Sequence, residues 1–382
     1  MSLRNLRKPQ SLLATNTRNN MVVSIAEEMN PTRRNTMEDV HEFHGPATWN
    51  CPDDNAVFIG VYDGHGGRSI VDYLEDHLAS NVATEWCVLC RETRGDGSDG
   101  DGRRKKRRLQ DDGGSSVEDG VENEKENDSD GKIIRTSLER AFLLTDIQSR
   151  MAGLHTSGAT VACCIVVPKF SSTDGSLESI SVHCANAGDA RIVLSSPTAR
   201  KANCNDSKLG LPLGTDHRSD AAISSTCAVR LTHDHKATDP KEISRIQSAG
   251  GMMLRGRVLG VLAVARSLGD HGLKEFVIGR PFLSSTVISI ENNEVHPSSD
   301  KPDKKKVAKE CSPFTDGEFL VVACDGLWDV MEDQEVVDLV RKFVGNSTSG
   351  ISQKQEKAAQ FLIDEALRRG STDNITVIVY WL

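Results

Sequence analysis

The most constraining feature of this chain is a pair of apolar strands that run into the same dipeptide. Phe58-Ile59-Gly60-Val61-Tyr62 leads into Asp63-Gly64, and Leu320-Val321-Val322-Ala323-Cys324 leads into Asp325-Gly326. Each strand thereby puts a carboxylate at its end, with a glycine permitting the turn. Asp-Gly is also ordinary turn chemistry, so neither copy alone decides anything. Comparable apolar, β-branched runs predict strands over 56–62, 159–167, 180–186, 190–195, 319–324 and 375–381. Helical spacing predicts helices over 69–89, 133–151, 240–249, 333–344 and 353–369, the last ended by Gly370. These elements cluster without regular βαβ alternation, which predicts an α+β sandwich rather than a doubly wound parallel sheet.

The chain has 382 residues, 37% of them hydrophobic, enough to bury the core of one large domain or two ordinary ones. No run of about 18 apolar residues exists to span a membrane, and the first residues lack an apolar signal segment. The expectation is a cytoplasmic chain without membrane contact. A net charge of −9 and only 4% aromatic residues argue against nucleic acid as partner. The ten cysteines sit largely in apolar stretches and read as reduced thiols, and Cys87 and Cys90 lack a second pair for zinc.

Residues 91–131 form a polar Gly/Asp/Ser/Glu-rich insertion, expected to be disordered and to add nothing to the core. Within it the basic cluster 103–108 is a candidate nuclear import signal. Residues 196–228 and 291–316 read as surface loops, and 1–20 as an N-terminal tail.

Further acidic residues adjoin the strands: Glu38 and Asp39 before the first, Asp189 in a turn, and Asp373 before the last. Carboxylates converging at one end of a sheet repel unless cations lie between them. All-oxygen ligands select Mg2+ or Mn2+ over Zn2+. A pair of such ions about 3.5 to 4 Å apart can hold the attacking and leaving oxygens of a phosphoryl displacement, so hydrolysis of a phosphate ester is the chemistry suggested. Arg34 offers a planar fork for phosphate oxygens, and His65 can protonate a leaving alkoxide near neutral pH. His233-Asp234-His235 has no third metal ligand in reach and reads as structural.

The ordered series Arg34-Asn35-Thr36-Met37-Glu38-Asp39, Val61-Tyr62-Asp63-Gly64-His65-Gly66-Gly67, Ser157-Gly158-Ala159-Thr160, Ala187-Gly188-Asp189-Ala190-Arg191, Leu231-Thr232-His233-Asp234-His235-Lys236, residues 260–270, Ala323-Cys324-Asp325-Gly326-Leu327-Trp328-Asp329 and Ser371-Thr372-Asp373-Asn374 resembles the metal-dependent protein phosphatases of the PP2C type. The resemblance spans residues 21–382 apart from the three loops, and its wording is nearest to fungal members that oppose stress kinase cascades. It implies a four-layer sandwich, two antiparallel β-sheets flanked by α-helices, in a monomeric protein serine/threonine phosphatase. It also implies two Mn2+ or Mg2+ ions per subunit, with a weaker third site. Asp63 would bridge the two ions, with Asp325 and Asp373 completing one and the Gly64 carbonyl touching the other. Glu38 would act through an intervening water, with Asp39 ordering that shell, and Asp189 with Asp325 would form the third site. Arg34 resembles the phosphate-binding arginine, His65 the general acid, and residues 238–264 a flap beside the cleft. Thr32 stands where the family often has glycine, Ala265 replaces its usual serine, and the flap has no tryptophan. The implied partners are phosphoprotein substrates and the kinases of a signalling cascade.

Overall fold

A computed structural model describes residues 21–94, 129–197, 226–289, 317–345 and 351–382. The tail 1–20, the basic cluster 103–108, the loop 291–316 and the bulk of 91–131 and 196–228 lie outside the described residues.

The chain runs through β1 (Val23–Glu28), β2 (Asp39–His44), β3 (Val57–His65), α1 (Ser69–Arg94), α2 (Ser129–Met151), β4 (Gly158–Phe170), β5 (Leu177–Ala187), β6 (Arg191–Pro197) and β7 (Thr226–Arg230). It continues through α3 (Pro240–Ser248), the short strands β8 (Met253–Leu254), β9 (Arg257–Val258) and β10 (Leu268–Gly269), and then β11 (Phe282–Ser289). It closes with β12 (Phe319–Ala323), α4 (Asp325–Trp328), α5 (Asp333–Gly345), α6 (Ile351–Gln355), α7 (Ala358–Arg368) and β13 (Ile375–Trp381). One antiparallel sheet has the order β1-β13-β12-β6-β7. The other is β11-β5-β4-β3-β2, with β10 added on β4.

Alternation along the central strands builds the layers. Val57, Ile59 and Val61 of β3 face Ile192, Leu194, Leu320, Val322 and Ile378 of the other sheet and form the core between them. The intervening Phe58 and Tyr62 point the other way, into α1 and α2 through Leu74, Leu78, Leu138 and Phe142. In the second sheet Val193, Phe319, Val321, Val377 and Val379 pack outward on α4, α5 and α7 through Leu327, Val336, Val340, Leu362 and Ile363. Central strands such as β3 and β12 are therefore apolar along most of their length, because both faces are covered. The order helix, sheet, sheet, helix is the four-layer sandwich that the resemblance implies.

All six predicted strands are present, and the long strands they miss share one property. β1, β2, β7 and β11 are the four edges of the two sheets. An edge strand keeps polar residues where it meets solvent, as in Asp39-Val40-His41-Glu42-Phe43-His44, so no continuous apolar run announces it.

Two further corrections concern helices. α1 and α2 extend into both ends of the insertion 91–131, reaching Arg94 and starting at Ser129, with Gly131 buried. The single helix predicted over 353–369 is broken between α6 and α7. There the Ser24 hydroxyl of β1 donates to the Glu356 carbonyl (2.7 Å) and accepts from the Ala359 amide (3.0 Å). A contact from a strand remote in sequence supplies the hydrogen bonds that the helix gives up, which periodicity cannot anticipate.

Phe142 is fully buried where α2 meets α1 and the sheet. Its replacement by Ala should cost about 3–5 kcal/mol of unfolding free energy, read from the urea midpoint. A loss below about 1 kcal/mol would show that the helical layer does not pack as described.

Candidate active site

Antiparallel pairing brings the acidic positions to one end. Asp39 begins β2 and Asp63 lies near the end of β3, and the register sets them opposite each other. In the other sheet Ala323 at the end of β12 is opposite both Arg191 and Val377, near the starts of β6 and β13. Asp325 follows β12, Asp373 precedes β13, and Asp189 sits in the turn where the chain crosses from β5 in one sheet to β6 in the other. Glu38 and Arg34 come from the β1–β2 connection at the same end.

The glycines after Asp63 and Asp325 serve close approach rather than a turn, which corrects the expectation. Gly64 lies within β3 and Gly326 within α4, and neither has a positive φ. A Cβ on Gly64 would stand 2.5 Å from the Glu38 carbonyl oxygen, and one on Gly326 2.0 Å from that of Asn374. Each glycine lets a second acidic segment press against the strand end.

Asn374 sews these segments together. Its side-chain amide donates to the carbonyls of Met29 (2.8 Å) and Thr36 (3.0 Å), and its oxygen accepts from the Glu38 amide (2.8 Å). The Thr376 hydroxyl donates to Asp39 (2.9 Å), joining the two sheets at the floor of the site. Arg68 completes the frame by donating to the carbonyls of Met37 (2.6 Å) and Asp39 (3.2 Å).

The electrostatics match a site built around missing positive charge. Burial lifts the Asp63 carboxyl well above its ordinary range, and Asp325, Asp39, Asp189 and Asp373 lift it further. Asp325 is raised in the same way by burial and by Asp189, Asp329, Asp373 and Asp39. Burial pushes Asp39 up to about 7, with Asp373 and Glu27 adding to it against the hydrogen bonds of Cys324 and Thr376. Asp189 rises to about 6 through burial, despite the nearby Lys236 ammonium, which is itself paired with Asp329 (3.1 Å). Among the described residues no three His, Cys, Asp or Glu side chains are drawn together into a finished metal cage. The donors are nonetheless all oxygen, mutually repelling and short of counter-charge, which fits hard divalent cations.

Arg34 does not stand free, as a phosphate-binding role alone would have it. Its guanidinium pairs with Asp373 and its Nε donates to the Thr372 carbonyl (3.3 Å). Glu38 accepts from the Thr36 hydroxyl (3.3 Å). His65 Nε2 lies 2.8 Å from Asp270, which also accepts from Ser267 (2.5 Å). Burial would raise the Asp270 carboxyl, but His65, Ser267 and Lys274 together hold it below the ordinary range. Of the His-Asp-His motif, His235 is buried against Gly188 and His233 meets Asp239 at 2.6 Å. The roles of Asn374, Arg68, Thr376 and Asp270 are not legible in the sequence. Asn374 and Asp270 do close matched segments, and that was the only available signal.

These shifts set a pH dependence for the metal-free protein. Unfolded, Asp39 and Asp189 titrate near 4, whereas folded they bind protons up to about 7 and about 6. The folded state binds more protons across that interval, so its stability is greatest at the acid end and falls as pH rises toward 7. In chelator, the melting temperature should drop between pH 5.5 and pH 7.5, and saturating Mg2+ should raise it more at pH 7.5. A chelated protein that became more stable over that interval would contradict the arrangement.

Comparison with known proteins identifies the family. The sequence profile of the family described as Protein phosphatase 2C matches residues 24–375. Protein phosphatase 2C homolog 1 of Saccharomyces cerevisiae is 28% identical over 370 residues, covering 94% of this chain and 93% of that protein. Its namesake in Schizosaccharomyces pombe is 30% identical over 364 residues, covering 94% and 73%. The crystal structure of serine-threonine phosphatase 2C from Toxoplasma gondii shares the fold, with a TM-score of 0.57 at 16% identity and 94% of each chain covered. The chain belongs to the protein phosphatase 2C family of metal-dependent protein serine/threonine phosphatases.

Proposed function

We propose that this phosphatase removes phosphate from phosphoserine and phosphothreonine in proteins at a binuclear Mn2+ or Mg2+ centre, and that it restrains kinase signalling. The observation that carries the reading is the half-buried Asp63 carboxylate, raised by desolvation and by four other carboxylates gathered at one end of the two sheets. In this reading Asp63, Asp325, Asp373 and the Gly64 carbonyl would hold the two ions. Glu38 and Asp39 would order the water around them, and Asp189 with Asp325 would hold a weaker third ion. When bound, such cations supply Lewis acidity and a coordinated water of lowered pKa.

The chain's own residues do the rest. Arg34 has a half-exposed side chain and a tether to Asp373 and the Thr372 carbonyl, so its guanidinium is held at the rim, where it can fork onto phosphoryl oxygens. His65, partly exposed, delivers a proton to the serine or threonine oxygen as the P–O bond breaks. The yeast namesakes support phosphoproteins as substrates. A monomeric, cytoplasmic enzyme with nuclear access through residues 103–108 completes the proposal.

Asp63→Asn should abolish nearly all turnover, with Asp325→Asn and Asp373→Asn close behind, and chelator should silence the wild type. Full activity of Asp63→Asn, or of the wild type in excess EDTA, would end the binuclear reading.

His65→Gln should lose about 10²-fold or more in kcat on a phosphopeptide and far less on p-nitrophenyl phosphate, whose leaving group needs no proton. Arg34→Ala should weaken both substrates, mainly through KM, because both present the same phosphoryl group. Equal losses by His65→Gln on the two substrates would move proton delivery to another group.

A further inference from the structure

We infer that Asp270 is a positioning residue for His65, fixing the orientation and tautomer of its ring so that Nδ1 is the nitrogen that serves the leaving group. The inference rests on the reading of His65 as the proton donor.

The contact is direct and anchored: Asp270 Oδ2 lies 2.8 Å from His65 Nε2 and takes the Ser267 hydroxyl at 2.5 Å. An ionised carboxylate accepts but cannot donate, so Nε2 must carry a proton. The other ring nitrogen is thereby free to hold the proton that moves to the alkoxide.

The segment around Asp270 is shaped to hold it there. β10 pairs with β4 so that Gly269 stands opposite Gly158, and His65 stands opposite the same Gly158 from β3. Gly158 leaves the necessary gap, since a Cβ on it would fall 2.1 Å from Asp270 Oδ2. Asp270 adopts left-handed backbone (φ 47°), and its amide donates to the Ser157 carbonyl (3.0 Å). A non-glycine residue there is uncommon, and such strain persists only where the surroundings enforce it. They do so from α2. Asp146 accepts from the Gly269 amide (2.8 Å) and from Lys274 (3.1 Å), and Lys274 also donates to the Ser267 carbonyl (2.9 Å). Asp270 is thus a half-buried acceptor, on a braced segment, aimed at one nitrogen of one histidine. Histidines whose second nitrogen is held by a carboxylate elsewhere show what this achieves: the carboxylate sets the tautomer and steadies the cation.

The proton balance is simple. As the P–O bond to the serine or threonine oxygen breaks, that oxygen takes the proton from His65 Nδ1. The ring is left neutral with its proton on Nε2, still hydrogen-bonded to Asp270, and solvent restores the proton on Nδ1. Asp270 itself neither gains nor loses one.

The test uses the full chain loaded with Mg2+, assayed on a phosphothreonine peptide and on p-nitrophenyl phosphate. Asp270→Asn keeps the size and the tolerance for left-handed backbone. It should lower kcat on the peptide about 10-fold or more, with KM little changed, and kcat on p-nitrophenyl phosphate about 3-fold or less. Added to His65→Gln it should cost less than about 2-fold more, because the two act as a unit. In the wild type alone, 15N NMR of His65 should show Nε2 protonated whenever the ring is neutral. Equal losses of Asp270→Asn on both substrates, additivity with His65→Gln, or a neutral His65 protonated on Nδ1 would each overturn the inference while leaving the proton-donor reading intact. A His65→Gln enzyme that lost activity equally on both substrates would overturn both.

Discussion

Like charges gathered out of water are the constraint around which this molecule is organised. Asp39, Asp63, Asp189, Asp325 and Asp373 meet at one end of the sandwich, and burial with mutual repulsion disfavours ionisation of the innermost. Repulsion within that cluster opposes the metal-free fold. The opposing free energy comes from three apolar layers, one between the sheets and one under each set of helices. Cohesion of the body therefore holds the carboxylates together, and the site inherits its rigidity from strands whose two faces are both covered.

Neutral polar residues then do the fine placement. Asn374 bonds three residues of the β1–β2 connection at once, and Thr376 joins Asp39 across the gap between the sheets. Neither carries charge, so neither adds to the repulsion nor competes with the carboxylates for a cation. Arg68 is the exception in charge but follows the same logic. It spends its donors on backbone carbonyls and on Asp72 at the start of α1, outside the acidic cluster.

How much of this was legible in the sequence follows from which signals are local. The central strands β3, β4, β12 and β13 are plain because covered faces give them long apolar runs. Edge strands β1, β2, β7 and β11 mix polar residues into their sequences and give no continuous apolar run. The break between α6 and α7 comes from Ser24, far away in sequence, and leaves no local trace. The acidic residues stand out because an Asp at the end of an apolar strand is conspicuous, and antiparallel topology then collects them. Asp270 and Asn374 act through contacts that span the chain, His65 to Asp270 and Met29 to Asn374, and no pattern of neighbours reveals such pairs. Arg34 is recognisable as a cation near the site, but its partner Asp373 emerges only once β13 is laid beside β1.

That last pairing has a consequence for biosynthesis. β1 is the first strand of its sheet to be synthesised and β13 the last, yet they are hydrogen-bonded neighbours, with Val23 opposite Tyr380 and Glu28 opposite Ile375. During translation β1 lacks its β13 partner until residues 375–381 have emerged, and loop-closure entropy delays such distant contacts further. The opposite sheet, whose main strands lie between residues 39 and 289, can form much earlier. A nascent chain thus exposes an unpaired edge and holds Asp39, Asp63 and Asp189 without Asp325 or Asp373. In a chain stalled or truncated before β13, the carboxylates of the two sheets cannot all meet.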